Sequence, residues 1–171
     1  MQELNPEAKW SNFNSDNDVK ELKALLKKIS DRYGMSYFEI LKRIEEKDSI
    51  PATAFTRELS PLESVVRYLK EKRLYKIKKI ALLLGRSEKT IWQAYNSSKK
   101  KVTDFKFEPT EYLVDVSVLS NRRFSILELV VSYLKENYKL SYHEIANLLQ
   151  RNDRTVWTVY NRAIKKRENE S

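Results

Sequence analysis

The chain has 171 residues, enough for one compact domain or for two or three small ones. Hydrophobic residues make up 41% and charged residues 33%, proportions that exclude a disordered protein, and no apolar run reaches the roughly 20 residues of a membrane span. The absence of cysteine excludes disulfides and thiolate zinc sites and fits a cytoplasmic protein, while the formal charge of +9 makes nucleic acid a candidate partner.

The N-terminal third of the chain has no excess of positive charge: residues 1–59 carry 10 Lys/Arg against 11 Asp/Glu. Residues 1–17 are polar and predict a mobile segment without a signal-peptide core. Residues 18–49 predict a helical half-repeat, with an apolar stripe at helical spacing from Leu22 to Ile29. Its acidic end argues against DNA contact. We expect it to pack on the next segment or to mediate dimerisation, which leaves a monomer or a homodimer.

The remainder of the chain contains a duplication. Residues 62–101 return as residues 127–166 at a constant offset of 65, and 19 of the 40 positions are identical. Both copies are basic: residues 60–101 carry 12 Lys/Arg against 3 Asp/Glu, and residues 125–167 carry 8 against 4. Two copies are too few for a solenoid, which needs about three or more. We therefore expect two similar modules.

Each copy predicts an extended arm followed by three helices. The arms are residues 50–55 and 114–119, because one contains a proline and the other alternates β-branched residues. The first helices begin at the capping boxes 60–63 and 125–128, and Pro61 suits the first helical position. A third capping box, at residues 141–144, begins the second helix of the second copy. We expect each arm to lie along its own module.

A tight turn then separates the second helix from the third. Gly85 takes the left-handed conformation at low cost, whereas Gln150 takes it less comfortably, so the two turns are expected to differ slightly. Ser87 and Asn152 are good N-caps for the third helices, which end in basic runs. Their inward residues are expected to be Ile91, Ala94 and Tyr95, and Val156, Tyr160 and Ala163.

Three helices with this tight turn predict a helix-turn-helix unit. The scarcity of glycine (2) and proline (4) also favours helices over sheets. The sequence therefore predicts an all-α fold, made of two tandem three-helix helix-turn-helix modules plus an N-terminal helical segment. The first module with its arm is 50–101, the linker is 102–113, and the second module with its arm is 114–167.

The second copy, residues 140–167, resembles region 4 of bacterial sigma factors and related regulators. The residues that carry the resemblance are Leu140, Ser141, Tyr142, Glu144, Ile145, Ala146, Leu148, Leu149, Asn152, Thr155, Val156, Arg162 and Ala163. The first copy is less similar, since Lys78 and Lys79 replace the pair at 143–144. Because 171 residues are too few for the regions that open promoter DNA and hold the polymerase core, we expect only the DNA-docking module to carry over.

In that family the third helix enters the major groove, which implies recognition helices at 87–101 and 152–167. The implied base-reading candidates are Lys89, Trp92, Gln93, Asn96, Asp153, Arg154, Trp157, Thr158 and Asn161. Arg154 is suited to guanine and Gln93 to adenine. The candidates for phosphate contacts, which fix register without reading sequence, are Arg86, Lys99, Lys100, Lys101, Arg151, Arg162, Lys165, Lys166 and Arg167.

Trp92 and Trp157 depart from the family pattern, which usually has a polar or basic residue there. Two interpretations stay open: packing against a helix or a protein partner, or contact with DNA such as a thymine methyl. His143 is the sole histidine, and it is expected to cap a helix or lie on the surface rather than bind metal. The sequence has no glycine-rich phosphate loop, nucleophile elbow or catalytic dyad. We expect no catalytic residues, no metal, no cofactor and no enzymatic activity.

These features predict a sequence-specific protein that binds double-stranded DNA, as a transcription regulator, by reading two adjacent major-groove half-sites. The half-sites are expected to differ, because the reader residues differ between the copies. One alternative is a protein-interaction adaptor that binds RNA polymerase or another protein. A second alternative is an accessory DNA-binding protein of a plasmid or mobile element. No membrane partner is expected.

Overall fold

The computed structural model describes residues 13, 15–45 and 48–169, without the side chains of residues 42–45. The chain divides into two compact units, Met1–Lys47 and Asp48–Ser171. Within the described residues there are eight α-helices and one two-stranded sheet, which confirms the all-α fold class. None of those helices is long and apolar enough to cross a membrane. The mobile segment predicted for residues 1–17 falls almost entirely outside the described residues.

The first unit contains a pair of helices, α1 (Asn17–Tyr33) and α2 (Tyr37–Glu45). The Asp16 carboxylate accepts a hydrogen bond from the backbone amide of Asp18 at 2.8 Å, which starts α1. Gly34, at φ +63°, ends α1 in the left-handed conformation that glycine adopts readily. The pair explains the helical pattern of the sequence, although Ile29 is only half-buried and Leu22 stays exposed.

The second unit contains both repeats. The first repeat consists of β1 (Ser49–Pro51), a 3-10 turn (Ala52–Ala54), α3 (Pro61–Glu71), α4 (Ile77–Leu83) and α5 (Glu88–Lys101). The second consists of β2 (Leu113–Asp115), a 3-10 turn (Val116–Ser120), α6 (Ile126–Asn137), α7 (Tyr142–Leu148) and α8 (Asp153–Glu168). The structure confirms the three capping boxes and the N-caps Ser87 and Asn152.

The two arms differ from the sequence expectation. Only β1 and β2 are extended, and they pair with each other antiparallel, with Ile50 opposite Val114. The 3-10 turn of the second arm packs against α4 of the first repeat as well as against α6. The expectation that each arm lies along its own module was therefore incomplete. A three-residue strand leaves its backbone groups unpaired, and the equivalent strand of the other repeat supplies their partners.

The backbones of the two repeats match at their turns. Gly85 and Gln150 have φ of +57° and +52°, and Leu74 and Lys139, also 65 residues apart, both have φ of +57°. The difference expected between the Gly85 and Gln150 turns is not observed, so Gln150 adopts the conformation that glycine holds at lower cost.

One continuous hydrophobic core joins the repeats. In the first repeat α3 packs on α5, and in the second α6 packs on α8. The fully buried side chains come from the helices and from both strands, including Val65, Leu69, Ile91, Val130, Leu134, Ile50 and Val114. Residues 102–113, expected to be a linker, also contribute, because Phe105 is buried. Each repeat is thus held in a fixed position relative to the other.

Candidate nucleic-acid interface

Helix α5 has one buried face and one exposed face. Ile91, Ala94 and Ser98 are buried, which fixes the rotation of the helix about its own axis. The Ser87 hydroxyl accepts a hydrogen bond from the backbone amide of Thr90 at 3.2 Å and fixes its start. The opposite face carries the candidates named from the sequence: Lys89, Trp92, Gln93, Lys99 and Lys100 are exposed, and Asn96 is half-buried.

Helix α8 repeats this arrangement. Val156, Val159 and Ala163 are buried, and Tyr160, expected to face inward, is half-buried. Val159 lies one turn after Val156 and takes the inner position that the sequence interpretation missed. On the outward face Asp153, Arg154, Trp157, Arg162 and Lys165 are exposed, and Thr158 and Asn161 are half-buried. The two helices therefore present equivalent surfaces built on equivalent cores.

The tryptophans lie in the middle of these two surfaces. Trp92 is 59% exposed and Trp157 is 54% exposed, and neither belongs to the hydrophobic core. Among the described residues, packing inside the chain does not account for them. A DNA contact or a protein partner remains as the interpretation of both side chains.

Two of the polar reader candidates on α8 bond to their own helix. The Thr158 hydroxyl donates to the Arg154 carbonyl at 2.7 Å, and the Asn161 amide donates to the Trp157 carbonyl at 3.0 Å. Arg154 itself is exposed, and its side chain forms no hydrogen bond or ion pair in the described part of the chain. Arg154 is therefore the reader candidate of α8 with the most freedom to bind a base edge.

His143 lies on the surface, as expected from the sequence. Its Nδ1 is 3.2 Å from an Asp153 carboxylate oxygen, and both side chains are mostly exposed. This contact links α7 to the first turn of α8. It gives Asp153 a partner inside the protein, which makes it a weaker candidate for reading a base than Arg154.

The lysines at the ends of α5 and α8 contact buried glutamates. Lys101 Nζ lies 2.8 Å from Glu63, and Lys166 Nζ lies 2.7 Å from Glu128. These glutamates belong to the capping boxes of α3 and α6, and Glu63 also accepts a hydrogen bond from Ser97 at 2.6 Å. Each glutamate thus joins the start of the first helix of its repeat to the end of the third helix. Lys101 and Lys166, expected to contact phosphates, have a structural role here.

These contacts alter the acidity of the glutamates. Burial alone would raise the pKa of Glu63, but hydrogen bonds from Lys101, Ser97 and Ser60 outweigh it and lower the pKa to about 2. The pKa of Glu128 is likewise lowered: its burial is outweighed by hydrogen bonds from Lys166 and from its capping box. Both carboxylates are therefore charged at neutral pH.

The other cations of the helix ends differ in how free they are. Arg167 donates to Glu136 at 2.5 Å, and the Lys99 ammonium lies 5.7 Å from the centre of the Tyr95 ring. The exposed helix-end cations with neither an ion pair nor a ring contact among the described residues are Lys100, Arg162 and Lys165. These three are the best placed of the predicted phosphate ligands at the helix ends.

Arg67 was not identified from the sequence. It is 2% exposed and donates to the carbonyl oxygens of Ser98 at 2.9 Å, of Val102, and of Thr103 at 3.0 Å, while Glu71 accepts from it at 3.2 Å. The last carbonyls of an α-helix have no partner within the helix. Arg67 supplies a donor to the C-cap carbonyl of Val102 and to its neighbours, and so fixes the C-terminal end of α5 on the core.

Arg86 and Arg151 lie in the tight turns just before α5 and α8. Burial lowers the pKa of each guanidinium, and a second arginine lowers it further: Arg122 acts on Arg86, and Arg57 acts on Arg151. The Nε atoms of Arg86 and Arg151 are buried and have no hydrogen-bond partner among the described residues. The sequence interpretation named Arg86 and Arg151 as phosphate ligands but missed their partners.

The chain matches no protein-family model, no curated protein and no solved structure. The resemblance of residues 140–167 to region 4 of sigma factors stays a prediction. The duplicated surface on α5 and α8 is the feature from which a function is proposed.

Proposed function

We propose that the protein is a sequence-specific double-stranded DNA-binding protein and a transcription regulator, not an enzyme. In this proposal the two repeats are tandem helix-turn-helix modules, and α5 and α8 are the recognition helices. The likeness to sigma region 4 and a cytoplasmic location belong to the same proposal. No cofactor is required for this activity.

The observation that carries the proposal is the duplicated outward face of α5 and α8. An α-helix with its side chains is roughly 10–12 Å across, which suits a B-DNA major groove about 12 Å wide. Each face has polar and aromatic residues along the helix, and exposed cations at its end. Base edges require the polar groups, and phosphates require the cations. Solubility alone does not require this pattern on two helices, and it does not require an exposed tryptophan on each of them.

Binding of the purified chain to random-sequence duplex across a salt series tests the proposal. We expect tight binding at low salt and a steep loss of affinity as salt rises, because bound phosphates release condensed counterions. A chain that binds no duplex even at low salt would contradict the proposal. A single-stranded control of the same length checks that the duplex is the preferred partner.

The second candidate function is a protein-interaction adaptor that binds RNA polymerase or another protein, and the exposed tryptophans favour it. Tryptophans that are exposed in the free protein and become buried by a partner are frequent hot spots of protein interfaces. The double variant Trp92→Ala, Trp157→Ala distinguishes the candidates, because neither side chain contributes to the core. In a DNA reader this variant keeps most of the salt dependence and loses sequence preference. In an adaptor, duplex binding is weak before and after the change.

A further inference from the structure

Between its arm and its first helix each repeat has an equivalent arginine, Arg57 in the first repeat and Arg122 in the second, again 65 residues apart. Each lies at the tight turn of the other repeat. Arg57 precedes α3 of the first repeat, yet it lines a cleft with Gln150, Arg151, Asn152 and Thr155 of the second. The arrangement is the same in both directions, so the arginine of each turn lies beside an arginine that belongs to the other repeat.

The reciprocal contact is seen at Gly85. Arg122, which precedes α6 of the second repeat, donates its Nη1 to the Gly85 carbonyl at 2.9 Å. Arg122 and Arg86 line one cleft, which also contains the N-caps Ser60 and Ser125. No carboxylate lines either arginine cleft in the part of the chain that the structure describes.

Two positive groups held together without an anion are unfavourable, and the local geometry adds to this cost. The buried Nε atoms of Arg86 and Arg151 have given up water without gaining a hydrogen-bond partner in the described part of the chain. Arg57 is exposed and likewise has no ion pair there. A phosphate bound between the paired arginines removes the first of these costs, because guanidinium groups bind phosphate oxygens through two parallel hydrogen bonds.

We propose that the arginine pairs Arg57–Arg151 and Arg122–Arg86 are two composite binding sites for phosphates of the DNA backbone. This inference rests on the proposed function and adds ligands to it that come from the opposite repeat. The site at Arg151 is continuous with the proposed reading surface, since Asn152 and Thr155 also line the adjoining groove with Arg154 and Arg162. A backbone that crosses this turn reaches the first turn of α8.

The composite sites also explain why the repeats share one core. Arg57 and Arg122 belong to the opposite repeat. They bind the same DNA strand as the arginine of the turn only if the two repeats keep a fixed relative position. The β1–β2 pairing and the shared core hold both arms in place. Phosphate binding at one turn therefore depends on the integrity of the other repeat.

The salt dependence of duplex binding tests this inference. Each phosphate contact contributes about 0.9 to the slope of log K against log salt on B-DNA. We expect Arg57→Met to lower the slope by about 1, and the double variant Arg57→Met, Arg122→Met to lower it by about 2, on every duplex alike. Arg57→Lys keeps the charge and is expected to restore most of the slope.

Arg32→Met is the matched control, since it removes one exposed arginine from α1 in the other compact unit. Its slope is expected to equal that of the wild type. Circular dichroism melts check folding. The single Arg57 variant is easier to interpret than the double variant, because Arg122 also donates a hydrogen bond to the Gly85 carbonyl.

Three results would overturn the inference in different ways. If the wild type binds duplex and both variants keep its slope, the composite sites are wrong while the proposed function stands. If the wild type binds no duplex, both fail. If the slopes are unchanged, but inorganic phosphate at matched ionic strength raises the Tm of the wild type and not of Arg57→Met, the sites bind a free anion and the DNA assignment is wrong.

Discussion

Arg154 and Lys100 are candidates for two different kinds of DNA contact on equivalent helices. Arg154 lies in the first turn of α8 and Lys100 near the end of α5, and both are exposed. We expect Arg154→Ala to cost about 1–3 kcal/mol on the preferred duplex and to relax preference at one base pair. We expect Lys100→Met to weaken binding to all duplexes alike and to lower the salt slope by about 1.

Binding of both variants to the preferred duplex and to single-base-pair changes of it measures this difference. Arg154→Lys is the control, because lysine keeps the positive charge but cannot form the bidentate pair of hydrogen bonds to guanine. Equal losses on every duplex for Arg154→Ala and Lys100→Met would show that Arg154 reads no base.

Glu63 links acid stability to the position of α5. Its folded-state pKa of about 2 lies below the ordinary value of 4.5, so its charged form stabilises the fold above pH 4.5. That contribution is lost as the pH falls from 4.5 toward 2. We expect Glu63→Gln to lower the urea midpoint at pH 7, and the difference from wild type to shrink below about pH 4. Urea melts at pH 7, 5 and 3.5 measure it.

The control for Glu63 is Glu111→Gln, a change at an exposed carboxylate of the same unit. It is expected to leave the urea midpoint unchanged at every pH. A Glu63→Gln variant with the same midpoint as wild type at pH 7 would show that the contacts with Lys101 and Ser97 do not stabilise the fold.

At the scale of elements, the two turns offer a direct comparison. Gln150 has φ of +52°, where residues with a side chain are strained, and Gly85 has φ of +57°. We expect Gln150→Gly to stabilise the protein by about 0.5–1 kcal/mol, since relief of strain exceeds the added chain entropy. The opposite kind of change, Gly85→Ala, is expected to destabilise it by about 1 kcal/mol, because alanine is strained at a φ of +57°. The added Cβ itself meets only an ordinary contact, 3.4 Å from the Ser120 carbonyl oxygen.

Urea denaturation of both turn variants measures these changes. The signs must be opposite if the turns share one conformation. Loss of stability in Gln150→Gly would mean that the glutamine side chain contributes more than its backbone costs.

The elements that could be predicted from the sequence are those set by local rules. The capping boxes and the N-caps depend on residues three or four positions apart, and the structure confirms them. Arg67 could not be assigned, because its partners at 98, 102 and 103 lie more than 30 residues away. Its one sequence signal is a charged residue between the buried positions Val66 and Leu69.

At the scale of the whole molecule, the duplication predicted two equivalent surfaces but not how the repeats meet. The pairing of β1 with β2 joins segments 64 positions apart, and no pattern within either arm specifies its partner. The cross-repeat position of Arg57 and Arg122 follows from that pairing. Local sequence therefore placed the reader candidates on the outer faces of α5 and α8, whereas the arginines proposed as additional phosphate ligands could be identified only from the fold.

The joint core also predicts the spacing of the two halves of the proposed DNA site. If α5 and α8 bind DNA as proposed, their shared core makes them read two segments at a fixed spacing, unlike modules on a free linker. The outward residues differ between the helices, with Lys89 and Gln93 on α5 against Arg154 and Thr158 on α8. The preferred site is therefore expected to be two unlike half-sites at one spacing.

The most direct test of the central claim is selection of bound duplex from a random library, with wild type and with Arg154→Ala. We expect one bipartite motif of two different halves at a constant spacing, in which Arg154→Ala relaxes only one half. Salt-sensitive binding without an enriched motif, or a motif that Arg154→Ala leaves unchanged, would contradict the claim that α5 and α8 read DNA sequence.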